Sequence, residues 1–140
     1  MHYEASVDIG APAEAAWRVL TDVEAWPQWT PTVTKSERLD KGDLAVDSRV
    51  RLTQPKLPPA VWRVSVLEEP GYFEWRNTNP LLKTVAGHRV QAGRSENACR
   101  VTLSINQTGL LSGIMARMYG ALTKQYVDTE AQALKARCEA

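Results

Sequence analysis

The chain has 140 residues, 44% of them hydrophobic, and 17 basic against 16 acidic residues give it a net charge of +1. A chain of this length forms one domain, residues 1–140, with a core of its own, so neither disulfides nor metals are required to hold it. The balanced charge excludes a nucleic acid or an anionic membrane held by bulk electrostatics.

Two cysteines, Cys99 and Cys138, make no disulfide framework, and a reducing cytoplasm is the simplest compartment for them. The opening residues lack a basic stretch followed by an apolar run, so no signal peptide is expected. No apolar stretch approaches the roughly eighteen residues of a membrane span.

In residues 2–9, Tyr3, Ala5, Val7 and Ile9 alternate with Glu4, Ser6 and Asp8, which predicts a half-buried strand. Pro12 fits the first position of a helix, where its missing N–H is harmless. Ala15, Ala16, Val19 and Leu20, with Trp17 nearby, give that helix an apolar side. Asp22 is a fresh N-cap for a second, shorter helix that carries Trp26 and Trp29 and is stopped by Pro27 and Pro31.

Period two then returns. Residues 32–40 read as a polar edge strand and 47–54 as a strand around Val50 and Leu52. The three prolines of 55–59 demand a loop. Residues 61–68 predict a strand with Trp62, Val64 and Val66 on one side, and 72–77, 83–92 and 98–107 complete the set. The short turns between them predict an antiparallel sheet. After Thr108-Gly109 the period becomes 3.6. Leu111, Met115, Met118, Leu122 and Tyr126 form one stripe, extended by Ile114, Val127, Ala131 and Leu134. One amphipathic helix of about seven turns is predicted, with Lys, Arg, Gln and Glu on its outer face.

Several residues in this order carry a resemblance. Ile9-Gly10-Ala11-Pro12 precedes the first helix, Trp17 lies within it and Leu20-Thr21-Asp22 closes it. Trp26-Pro27-Gln28-Trp29 follows, and then Trp62-Arg63-Val64, Phe73-Glu74-Trp75, Gly87-His88 and the 109–113 lead into the last helix. With these residues the chain resembles the SRPBCC superfamily, the helix-grip fold of the birch-pollen allergen and the START lipid-transfer domains. It is most similar to small bacterial proteins described as polyketide cyclase/dehydrase and lipid transport. The resemblance implies an α+β fold: a curved seven-stranded antiparallel sheet, two short helices and a long C-terminal helix, together enclosing a cavity. Such a fold hosts binders, transporters and cyclases alike, so it does not fix an activity.

Catalytic signatures are missing: no dinucleotide or phosphate loop, no H-E-x-x-H and no nucleophile elbow. No metal site and no cofactor is expected. His88 is the one candidate catalytic residue, on the same strand side as Ala86 and Val90, where an imidazole serves as hydrogen-bonding group or acid–base near neutral pH. A histidine simply satisfied within the core is the plainer alternative.

The candidate ligand-binding residues are Trp26, Trp29, Trp62, Trp75, His88, Met115, Met118, Leu122 and Tyr126. Flat aromatic faces and adaptable methionines suit an apolar ligand, although the same side chains also serve as core. Trp26 and Trp29 are expected near the cavity mouth, and Tyr126, or else Tyr119, is expected to place a hydroxyl inside. The strand arginines are expected on the outer face, with an inward Arg76 as the exception that would anchor an anion.

The leading expectation is binding or transport of a small hydrophobic or amphipathic molecule, such as a lipid, a polyketide-like or an aromatic metabolite, by a monomer or homodimer. A cyclase, aromatase or dehydratase using His88 and a tyrosine is the rival. An interaction or stress-response module, pairing through the 32–40 edge, is the third.

Overall fold

The computed structural model describes all residues, Met1–Ala140. In chain order come β1 (His2–Ile9), α1 (Ala13–Thr21), a 3-10 helix (Val23–Gln28), β2 (Lys35–Arg38), β3 (Arg49–Thr53), β4 (Ala60–Glu68), β5 (Tyr72–Asn79), β6 (Leu82–Ala92), β7 (Cys99–Thr108) and α2 (Ser112–Glu139). The strands form one antiparallel sheet in the order β1-β7-β6-β5-β4-β3-β2. This is the α+β helix-grip arrangement that the sequence predicts.

The details differ in instructive ways. Pro12 stands one position earlier than expected, as N-cap of α1. Its carbonyl accepts the Ala15 and Ala16 N–H groups. Asp22 caps the 3-10 helix through its backbone carbonyl, which takes the Ala25 N–H, while its carboxylate makes no capping bond. The expected 32–40 strand shrinks to β2, which is an edge strand as predicted. Thr30 and Thr32, just before it, are buried instead.

In β4 the register shifts between Val64 and Val66. Val64 pairs with Trp75 and Leu67 with Phe73, so these face the core, while Val66 falls opposite Glu74 on the outer side. A bulge turns the strand by one residue, so Leu67 and not Val66 packs against the core.

At 1.5 Å per residue α2 is about 42 Å long. Its start is fixed by Gly109, whose φ of +111° is open to glycine. A Cβ there would lie 2.5 Å from the Leu81 carbonyl oxygen. The C-terminal half of α2 packs down through Val127, Ala131 and Leu134 onto a core that includes Ile9, Trp17, Leu20, Phe73 and Val101. Its N-terminal half stands over a stretch of sheet carrying the small residues Ala60, Ala86 and Gly87, and space is left between them. No helix is long and apolar enough to cross a membrane.

Candidate functional site: a cavity between the sheet and the long helix

The space is a cavity of about 290 Å³. It falls just below the roughly 300–1,000 Å³ usual for small-molecule sites. Its wall is mostly apolar, and β3 to β7 and α2 all contribute to it. Alternation positions the strand side chains: Thr84, Ala86 and His88 of β6 share the inner face, and Trp75 and Ile105 flank Ala86 across the ladder.

Trp26, Trp62, Trp75, His88, Met115 and Tyr126, all predicted from the sequence, reach this wall. Three other candidates do not. Met118 is 67% exposed, because the face of α2 turned to the sheet runs through Met115, Tyr119, Thr123, Tyr126 and Glu130. Leu122 lies off that face for the same reason. Trp29 sits behind Trp26, ring to ring at 5.4 Å. Trp26 itself lies deep and not at a mouth. It is 2% exposed, its Nε1–H donates to the Leu20 carbonyl, and its ring meets Trp75 at 5.2 Å and His88 at 5.6 Å.

His88 is fully enclosed. Its ring stacks on Phe73 at 4.1 Å and 12°. Its Nδ1 lies 3.1 Å from the Phe73 carbonyl oxygen. A carbonyl only accepts, so Nδ1 carries the proton and Nε2 keeps its lone pair. Burial outweighs that hydrogen bond and the distant Glu74 charge, and pulls the imidazole down from 6.5 to about 4. His88 is therefore neutral near pH 7, with one acceptor nitrogen to offer.

Trp62 also lines the wall. Its Nε1–H is buried and has no hydrogen-bond partner. An unmade bond of this kind costs about 1–3 kcal/mol. The Tyr126 hydroxyl, expected inside, donates to the Pro55 carbonyl and ties the proline loop between β3 and β4 to α2. Tyr119 is the second phenol on the wall. Arg76 is not an inward anchor: it lies on the outer face and pairs with Glu74 at 3.0 Å.

Glu130 is the residue that apolar patterning misses, since that patterning puts glutamates on the outer face of the helix. It lines the cavity. Thr32 Oγ1 donates to Oε1 at 2.8 Å, and Thr30 Oγ1 continues the chain at 2.9 Å. Burial pushes the Glu130 carboxyl up from 4.5 to about 7, against the opposing Thr32 bond. Its signal in the sequence is position: Val127, Glu130, Ala131 and Leu134 follow the i, i+3, i+4, i+7 pattern of a buried face.

These two shifts predict opposite pH effects. The Glu130 contribution to stability is full below 4.5 and is lost as pH rises to about 7, because the folded protein holds that proton more tightly. The His88 contribution is full above 6.5 and is lost as pH falls toward 4. Glu130→Gln is expected to stabilise the protein by roughly 1–3 kcal/mol near pH 8, and to lose that margin near pH 4. Urea titrations at both values measure it, and an equal margin at both would refute a half-buried titrating carboxyl.

A family model described as polyketide cyclase / dehydrase and lipid transport matches residues 1–139. Among solved structures, the fold is similar to the Zhui aromatase/cyclase of Streptomyces sp. R1128, with TM-score 0.82 and 20% identity over 99% of this chain and 93% of that one. It is also similar to a START superfamily protein of Mycobacterium smegmatis, with TM-score 0.78 and 19% identity over 99% and 97%. At such identities the likeness is one of fold.

Proposed function

Because the chain belongs to the polyketide cyclase/dehydrase and lipid transport family, we propose that its cavity binds a small, mainly apolar molecule in a cytoplasmic setting. The observation that carries this reading is an apolar wall with two unspent polar groups, the His88 Nε2 and the free side of Glu130. Apolar burial at about 25 cal/mol per Å² supplies affinity, and the polar groups fix orientation. A volume of about 290 Å³ favours a fused-ring metabolite or one short chain over a two-chain lipid. Two free thiols, Cys99 and Cys138, suit a reducing compartment.

A neutral bicyclic probe tests the reading. Naphthylmethanol is expected to form a one-to-one complex with a Kd of about 10–100 µM by isothermal titration calorimetry. No heat of binding at millimolar probe would count against a ligand cavity.

The second reading is acid–base chemistry on such a ligand, and one arrangement favours it. His88 near pH 7 is a neutral base, and Glu130 is partly protonated and so able to give a proton, both on the same wall. His88→Gln would then abolish turnover of a bound polyketide-like substrate and leave its binding within about threefold. Binding without turnover in the parent protein would leave the first reading alone.

A further inference from the structure

The sequence holds 17 lysines and arginines, yet none lines the cavity. The strand arginines do not reach it: Arg49, Arg51, Arg63, Arg89 and Arg100 are exposed, Arg38 pairs with Asp40, and Arg76 is spent on Glu74 along the outer face of β5. Inside, the side chain able to carry charge near neutral pH is Glu130. Thr32 serves its Oε1, and no protein donor serves its Oε2. The other titratable groups on the wall are His88 from β6 and Tyr119 and Tyr126 from α2; His88 is uncharged near pH 7. The other polar side chains on the wall, Gln54, Asn77 and Thr84 among them, are neutral and cannot offset an anion.

From this distribution of charge we propose that the cavity selects its ligand by charge: it takes a small apolar molecule whose polar end donates a hydrogen bond, an amine or a hydroxyl, and turns away carboxylates and phosphates. The inference rests on the cavity-binding reading above and narrows it to a ligand class. A carboxylate entering this space gives up water, meets no cation and stands near a carboxyl of its own sign. An ammonium or hydroxyl finds a carboxyl oxygen with nothing else to accept, on a wall that also carries Trp62 and Trp75.

Three probes of one shape test this: naphthylmethylamine, naphthylmethanol and naphthoate, each titrated calorimetrically near pH 8. The amine and the alcohol are expected to bind, and naphthoate at least about tenfold more weakly than the alcohol. The amine is expected to bind at least about threefold more tightly than the alcohol, and in Glu130→Gln, which keeps the Thr32 bond, that ratio should fall to about one. The parent protein near pH 5.5 provides the same comparison without a substitution, and there the naphthoate deficit should shrink as Glu130 gains its proton. Naphthoate bound as tightly as the alcohol near pH 8 would overturn the charge selection and leave the cavity reading standing. So would an amine-to-alcohol ratio that Glu130→Gln does not change. Binding of none of the three would overturn the cavity reading itself, and the selection with it.

Discussion

Ala86→Trp is expected to weaken binding of naphthylmethanol by at least about a hundredfold and to leave the protein folded. Ala86 lies on the inner face of β6 between Thr84 and His88, with Trp75 and Ile105 beside it in the ladder. Its methyl is part of why the cavity exists: the sheet carries small residues where α2 stands off. An indole there brings roughly 150–250 Å² of surface into space that a ligand would occupy. In a filled core such an insertion costs about 1–3 kcal/mol through forced rotamers. Here the ring enters empty volume and gains contacts, so the melting temperature should change by only a few degrees. Calorimetric titration and a thermal melt on the same preparation separate the two effects. Undiminished affinity in a folded Ala86→Trp protein would place the ligand elsewhere.

Phe73→Ala should cost about 3–5 kcal/mol of stability. Phe73 is fully buried, edge-on to Trp17 at 6.1 Å and to Trp75 at 5.4 Å, and stacked on His88. It joins the helical end of the core to the floor of the cavity. Removing the ring leaves a void that three rigid aromatic neighbours cannot collapse to fill. Against a typical total of about 5–15 kcal/mol, that loss leaves a marginal fold. Phe73→Leu, which keeps most of the volume, should cost only about 1–2 kcal/mol. Urea titration of both variants gives the comparison, and a Phe73→Ala loss below about 1 kcal/mol would contradict the packing described.

Period and punctuation made much of this fold legible. Alternation in HYEASVDI predicts β1 to the residue. It also puts His88 on the inner side of β6, because Ala86 and Val90 share its parity. The long helix is visible as a change of period after Gly109. Its rotation is not: counting apolar residues selects Met118 and Leu122, whereas the cavity wall takes Tyr119, Thr123 and Glu130. A packed core face excludes polar groups, but a cavity wall tolerates them, so an apolar stripe points slightly off the cavity face. The β4 bulge was equally hidden, since neither Gly nor Pro marks it, and it moved Val66 outward. Trp29 shows the limit of residue type as a guide. An aromatic beside a cavity residue on a 3-10 helix supports that residue from behind and does not touch the space.

Native mass spectrometry of the freshly purified protein, alongside Ala86→Trp, tests the binding cavity most directly. The parent should carry a noncovalent adduct of small-molecule mass that leaves on gentle activation, and Ala86→Trp should appear at its bare mass. A bare parent, or an adduct that Ala86→Trp retains equally, would contradict a ligand held between the sheet and α2.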